Sequence, residues 1–286
     1  MSNKLKDAVM GFAVGDAFGV PYEFQPRGCL QSEEMIGGGV HGQAPGTWSD
    51  DTSMVLATLD VMANKSINDI KLGDVMTNFV DWATKGKFTP WGEVFDIGGR
   101  TAQAITYYIT NGCLLNDNDI RSNGNGSLMR ILPFAFFNEM NEYAIGIMSA
   151  LTHPHKISKK ACWMYVQIIR FILDCPKAFK KEILTYIDKI NTIIDMNKIT
   201  IYKPDSDGYV VHSLEAALWA FLNTDSYREA VISAVNLGSD TDTIAALTGA
   251  LAGLYYGYDS IPKDWLNTLV QRDYIENLCE KVNFMQ

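Results

Sequence analysis

Apolar residues recur at helical spacing along almost the whole chain. Residues 3–19 place Leu5, Ala8, Val9, Phe12 and Ala13 on one face, the stripe of an amphipathic helix. Pro21 ends it, since the residue before a proline is pushed out of the helical region. A second helix begins near Ser53, with Met54, Val55, Thr58, Leu59 and Met62 facing inward. Residues 67–85 repeat the pattern through Ile70, Leu72, Val75, Phe79, Val80 and Trp82. Another helix runs from the Asp96–Thr101 stretch to about Thr110, and one from Leu128 to Phe137, bent by Pro133. Further helices are expected over 157–174, 178–195, 212–223, 226–236, 264–270 and 272–283. The apolar run Ile244–Tyr256 reads as a buried helix. Residues 25–47 and 198–208 are loops. No stretch alternates in the manner of strands, so the expected fold is all-α: one compact multi-helix domain over 1–286, with its sites on loops at helix ends. Met129, Trp163, Trp219 and Phe221 are most simply core positions.

Composition narrows the class without changing that picture. The chain has 286 residues, 47% of them hydrophobic and 20% charged, the profile of a soluble globular protein. Its formal charge is −9 and no basic stretch forms a nucleic-acid footprint. Cys29, Cys113, Cys162, Cys175 and Cys279 are scattered, with no C-x-x-C pair, which suggests neither a zinc knuckle nor a disulfide framework and fits a reducing, cytoplasmic setting. Lys4 and Lys6 precede a short apolar run in the manner of a signal peptide, but Asp7 and Asp16 flank a core too short for one. Ile244–Tyr256 falls well below the roughly 20 apolar residues a membrane span takes, so no membrane association is expected.

The candidate chemistry sits at helix starts. Asn236-Leu237-Gly238-Ser239-Asp240-Thr241-Asp242-Thr243 opens the apolar helix, and Trp48-Ser49-Asp50-Asp51-Thr52 opens an earlier one. A single Asp or Thr there is an ordinary N-cap. Doubled acids with hydroxyl partners exceed what a cap requires. They make sense around a hard cation, which takes clustered oxygen ligands and removes the repulsion between adjacent carboxylates. Ser122-Asn123-Gly124-Asn125-Gly126-Ser127 leads small residues into the next element, either as an anion-binding turn or as a plain Asn-Gly turn. Gly98-Gly99 precedes a helix and serves either ligand approach or a tight turn. Gly11, Gly15 and Gly19 recur every four residues, and each weakens a helix by up to about 1 kcal/mol against alanine. That spacing points to close backbone approach by another helix or by a ligand. Asp16 reads as a supporting residue, and Glu23, on the segment beyond Pro21, as the better functional candidate. Gly37-Gly38-Gly39 lacks the Lys and the spacing of a P-loop and reads as a flexible linker. His153 and His155 form a His-x-His pair. Because the other candidate ligands are oxygens, magnesium or manganese is favoured over zinc, leaving His153 a hydrogen-bonding role and His155 a turn position.

Taken together, Gly11-x-x-x-Gly15-Asp16-Ala17-x-Gly19-x-x-x-Glu23, Trp48–Thr52, Asp96-Ile97-Gly98-Gly99-Arg100-Thr101, Gly124–Arg130, Leu151-Thr152-His153 and Gly238–Thr243 resemble, in order, the motifs of the ADP-ribosylglycohydrolase family, which includes the glycohydrolase that reactivates dinitrogenase reductase. The resemblance spans nearly the whole chain. It implies an all-helical fold with two magnesium or manganese ions in a central cleft. It implies Ser49, Asp50, Asp51, Asp240, Asp242 and Thr243 as metal ligands, and Glu23 as a mobile carboxylate. Catalytic roles would fall among Glu23, Asp50 and Asp240. Ser122, Gly124, Asn125, Gly126 and Ser127 would line a diphosphate, Gly98 and Gly99 the ribose side, with His153 near the phosphates and Tyr209 flanking the adenosine. Ser49 stands where the family often has Thr, and Asn123 where some relatives carry an aromatic. The implied reaction is cleavage of the bond between ADP-ribose and a modified protein side chain, arginine foremost, or a small ADP-ribose compound. The alternative is a non-catalytic ADP-ribose-binding or toxin-occluding protein.

Overall fold

The computed structural model describes residues 2–28, 33–117 and 119–282. Within them the chain forms thirteen α-helices: α1 Ser2–Gly19, α2 Asp50–Asn64, α3 Leu72–Lys85, α4 Gly99–Asn111, α5 Glu142–Ala150, α6 Lys156–Asp174, α7 Lys180–Ile190, α8 Met196–Thr200, α9 Val210–Leu222, α10 Tyr227–Val235, α11 Thr241–Tyr256, α12 Lys263–Thr268 and α13 Arg272–Lys281. No sheet forms among the described residues; the pairings Gly38–Gln43 and Gly124–Tyr209 are isolated bridges.

At the centre α1 lies antiparallel against α11, backbone to backbone, and the glycine period explains how. A Cβ on Gly11 would stand 2.2 Å from Gly249 O, one on Gly15 2.2 Å from Ala245 O, and one on Gly19 2.4 Å from the Asp242 Cα. Gly249 and Gly253 answer from the other side, meeting Gly11 O and Asp7 O. Of the two partners the spacing allowed, the structure supplies the helix. Side chains lock the crossing: Tyr227 Oη donates to Gly11 O at 2.7 Å and Thr241 Oγ1 to Gly19 O at 2.8 Å. The geometry carries the C-terminal end of α1, with Asp16 and the Glu23 segment beyond it, to the N-terminal end of α11, with Asp240 and Asp242.

The remaining helices wrap this pair around one continuous core. Trp48, Trp82, Trp265, Tyr165 and Tyr227 are fully buried in it. Trp48 Nε1 donates to Val270 O at 2.9 Å, tying the segment ahead of α2 to the C-terminal helices. Phe221 and Met129 are buried as expected, whereas Trp163 and Trp219 are only half-buried at the edge of the core. Among the described residues no helix is long and apolar enough to cross a membrane. Among the cysteines, Cys113, Cys162, Cys175 and Cys279 are free thiols, and Cys29 lies outside the described residues.

Element bounds depart from the sequence reading in specific places. Leu128–Phe137 is not an α-helix: turns lead into a 3-10 segment at Leu132–Phe136. Pro133 lacks an N–H and its ring obstructs the preceding turn, so the apolar run packs as a tight connector. Residues 196–200, read partly as loop, form the short α8, which Asp195 caps by accepting from Asn197 N. The last helix ends at Lys281; residue 283 of its expected span lies outside the described residues. Gly37–Gly39 is no flexible linker. Gly38 N–H donates to Gln43 O at 2.7 Å, and Gly39, with φ +66, packs so closely on Pro21 O that a Cβ would stand 2.4 Å away. The loop therefore folds back onto the segment that carries Glu23.

Candidate active site

The two acidic helix starts meet. Ser49 caps α2, its hydroxyl accepting from Asp51 N at 3.3 Å. Asp16 holds the turn from α1, accepting from Ser49 N, Thr52 N and, at 2.6 Å, Thr52 Oγ1. This is the supporting role its sequence position suggested. Asp51 Oδ2 then accepts from Ser49 Oγ and from Thr243 Oγ1, both at 3.2 Å, joining residues 192 apart in the chain. Asp240 occupies the N-cap position of α11 yet makes no capping bond with its side chain. Its Oδ2 instead accepts from Asn125 Nδ2 at 2.5 Å. A pure capping role thus accounts for Ser49 but not for the acids around it.

Their electrostatics suit a cation. Burial, then Asp96 and Asp16, raise Asp50 well above the usual carboxylate range. Burial, then Asp16 and Asp50, do the same to Asp51, and burial, then Glu23 and Asp51, to Asp242. Burial also raises Asp240 and Asp96. Glu23 is pushed up to about 9 by burial and by Asp96, Asp240 and Asp50. Among the described residues no Lys or Arg forms an ion pair with Asp50, Asp51, Asp240 or Asp242. Asp51 Oδ1 is buried with no hydrogen-bond partner at all. Single carboxylate oxygens of Glu23, Asp240 and Asp242 lie within 4.8 Å of one another. An orphaned buried oxygen amid hard oxygen donors fits a divalent ion such as magnesium or manganese.

This arrangement has a pH signature. A carboxylate whose pKa is higher in the folded chain stabilises the fold below its unfolded pKa, and that contribution is lost as pH rises through the folded pKa. Asp16 rises from 3.8 to about 6 and Glu23 from 4.5 to about 9. In chelator, the melting temperature is expected to fall as pH rises from about 5 to about 9, and divalent metal is expected to reverse the loss. Thermal melts across that range, with and without metal, check both; a melting temperature that climbs with pH in chelator contradicts the buried-acid picture.

The acids open into a cleft of about 390 Å³. Gly98 lines it, and its N–H lowers the pKa of Asp50 against the stronger raising effect of burial. Gly99 lines it at the start of α4 with open space where a Cβ would be. On the facing wall, Gly124, Asn125 and Gly126 form a turn held by Asn125 N–H to Gly208 O at 3.0 Å and Val210 N–H to Asn123 O at 2.9 Å. His153 stands behind the turn, buried and held neutral: burial, then Arg130 and Arg100, push it down to about 3. Arg130 Nη2 donates to Thr152 Oγ1 at 2.9 Å, and that hydroxyl lies 2.8 Å from His153 Nδ1. When that hydroxyl donates to Nδ1, the neutral ring carries its proton on Nε2. The Nε2 edge faces Gly124 and Gly126. A Cβ on Gly126 would stand 2.8 Å from His153 Cε1 and from Thr101 Oγ1. Gly126→Ala is therefore expected to melt lower and to raise the KM of an anionic substrate by roughly tenfold or more, through displacement of the imidazole; steady-state kinetics beside a thermal melt test it.

Other named residues lie elsewhere. Ser127 is fully buried, its Oγ accepting from Ser149 Oγ at 2.9 Å and touching Cys162 Sγ. Ser122 is buried in a 3-10 turn outside the cleft wall. Tyr209 is half-buried beside the wall, its backbone paired with Gly124 and its ring edge-on to His212. Ser49 sits behind Asp51 rather than on the cleft surface. Asn123 turns inward to His155 and Ser158, and His155 caps α6.

Sequence reasoning passed over His41, Asp96 and Phe24. His41 Nε2 lies 2.5 Å from Glu23 Oε2, and Asp96 faces the same point. Asp96 stood inside a recognised motif, which was a usable signal. Nothing local to the glycine loop announced His41. The segment bearing Glu23 is also fastened: Phe24 N–H donates to Ser239 O and Ser239 N–H to Gln25 O.

Comparison with known proteins adds to this geometry. The family model described as ADP-ribosylglycohydrolase matches residues 1–285. The chain is 34% identical, over 99% of its length and 80% of the relative's, to an ADP-ribosylarginine hydrolase, Tri1, of Serratia proteamaculans (strain 568). It is 30% identical, over 92% of its length and 88% of the relative's, to the ADP-ribosyl-dinitrogen reductase glycohydrolase of Rhodospirillum rubrum. A solved structure titled ADP-ribosylglycohydrolase-related protein complex superposes with TM-score 0.81 at 29% identity, covering 98% of this chain and 97% of that one.

Proposed function

This chain belongs to the ADP-ribosylglycohydrolase family, and from that premise we propose that it hydrolyses the glycosidic bond joining ADP-ribose to an arginine side chain of a modified protein, with two divalent ions, magnesium or manganese, in the cleft. The observation that carries the reading is Asp51: one oxygen gathers Ser49 and Thr243 from opposite ends of the chain, and the other is buried without a partner. Asp50, Asp51, Asp240, Asp242 and Thr243 would hold the ions, with Ser49 behind Asp51 positioning it, and the ions when bound would supply Lewis-acid polarisation of oxygen and charge compensation for the acids.

The chain's own groups do the rest. The Gly124–Gly126 turn and the Nε2–H of His153 bind the diphosphate. Asn125 orients Asp240, and the Gly98 N–H lowers the pKa of Asp50. A carboxylate from the set Glu23, Asp50 and Asp240 takes a proton from the attacking water. The water oxygen bonds to ribose C1 as the bond to the guanidine nitrogen breaks with its electron pair going to that nitrogen, the carboxylate returns the proton to the nitrogen, and ADP-ribose and unmodified arginine leave. The surrounding carboxylates favour the oxocarbenium-like ribose of the transition state. The relative named for ADP-ribosylarginine supports the arginine linkage, and the one named for modified dinitrogen reductase supports a protein substrate.

The direct test assays proteins modified through arginine, serine and other linkages, each with magnesium, manganese or chelator. Release of ADP-ribose from the arginine substrate, dependent on metal, is the expected result. Turnover that survives complete chelation would remove the ions from the proposal.

A further inference from the structure

Phe24 follows Glu23 and stands at the mouth of the cleft. Its backbone lies in the left-handed region, φ +63, where a bulky side chain crowds its own carbonyl and glycine is the usual occupant. The conformation is imposed by the paired backbone bonds to Ser239, itself at φ +65. Two strained residues are thus clipped together beside Asp240. The ring does not recover the cost by packing, because the residue is 65% exposed. A large aromatic held strained and in water points to use by a ligand, since such outliers gather where function requires them.

The surroundings define what that ligand would be. The His41 ring lies 6.2 Å from the Phe24 ring and 5.3 Å from that of Phe95. Ligand atoms of Glu23, His41 and Asp96 fall within 4.8 Å of one another, and Glu23 is equally close to Asp240 and Asp242. Glu23 therefore separates the acid centre, where the ribose would be cleaved, from an aromatic rim edged by carboxylates. A planar cation matches that rim: guanidinium stacks on a ring face and directs its N–H groups to carboxylate oxygens.

We infer that Phe24 selects the leaving group, its ring covering the guanidinium of the arginine that carries ADP-ribose, with Glu23 and Asp96 at the guanidinium edge. The inference rests on the arginine linkage proposed above and adds the residue that reads it.

The experiment compares wild type with Phe24→Leu, Phe24→Trp and Phe24→Gly on an arginine-modified protein in magnesium, and measures the binding of free ADP-ribose by calorimetry. Phe24→Leu is expected to raise KM about tenfold with kcat within about twofold, and Phe24→Trp to keep KM near wild type. ADP-ribose lacks the guanidinium and is expected to bind Phe24→Leu as it binds wild type. Phe24→Gly is expected to melt no lower than wild type, because glycine takes positive φ without strain, so its weakened substrate binding cannot be ascribed to unfolding. An unchanged KM for Phe24→Leu in an enzyme active on arginine overturns the role of Phe24 alone. A parallel loss of ADP-ribose affinity places the ring on the nucleotide and overturns it too. If wild type releases nothing from arginine, the linkage itself falls and takes the inference with it.

Discussion

Replacing Asp240 and Asp242 together with alanine is expected to reduce release of ADP-ribose by about three orders of magnitude or more, to background. The two carboxylates belong to a mutually repelling acid cluster, and the acids that remain would be too few for the proposed pair of ions. Stability is expected to move the other way in the metal-free protein. Burial raises both groups above the usual carboxylate range, and Asp242 faces Glu23 and Asp51, so at neutral pH their removal relieves charge repulsion and desolvation. The double variant in chelator should therefore melt no lower than wild type in chelator, while losing the rise in melting temperature that magnesium or manganese is expected to give wild type. Kinetics and melts on the same preparations decide it. Full turnover by the double variant in chelator would refute the metal-centred reading, and a metal-induced shift that persists would relocate the ions. A non-catalytic binder would retain neither the activity nor a need for these unscreened acids.

The second large effect concerns the helix crossing. Gly15→Val is expected to destabilise the protein by about 3–5 kcal/mol, enough to lower the melting temperature by about 10 °C or to prevent soluble expression. A Cβ at this position would stand 2.2 Å from Ala245 O and 2.7 Å from its carbonyl carbon. Both are backbone, so no rotamer change relieves the clash, and α1 must move off α11. The branched side chain adds further atoms to the same gap. Gly15→Ala is expected to show the same direction at smaller size. Thermal and denaturant unfolding of both variants measure the effect. Because the same crossing brings Asp16 and Glu23 to Asp240 and Asp242, a soluble Gly15→Ala enzyme is also expected to lose metal affinity along with stability. A Gly15→Val protein that melts like wild type would mean that the two helices do not touch as described.

Much of this was legible in the residues. Helical periodicity depends on side-chain spacing along a local segment, so α1, α3, α6, α9 and α11 could be read directly. The Gly11-Gly15-Gly19 period announced a backbone contact, and the doubled acids at Ser49–Asp51 and Ser239–Asp242 announced a charge to be balanced. Misreadings arose where local pattern met a competing constraint. Leu128–Phe137 is apolar enough for a helix, but Pro133 makes it a 3-10 connector. Gly37–Gly39 looks free, but its turn is pinned on Pro21.

The sequence by itself determined the helical class, the acid-and-hydroxyl chemistry and the family to which the chain belongs. Only the tertiary structure decided which oxygens converge. It brought Asp51 to Thr243, set Asn125 on Asp240, turned Ser127 and Asn123 inward, and delivered His41 and the strained Phe24 to the side of Glu23. The physical reason is range. Propensity and periodicity act over a few residues, whereas these contacts join segments remote in sequence, and their positions follow from how closely α1 and α11 can pack.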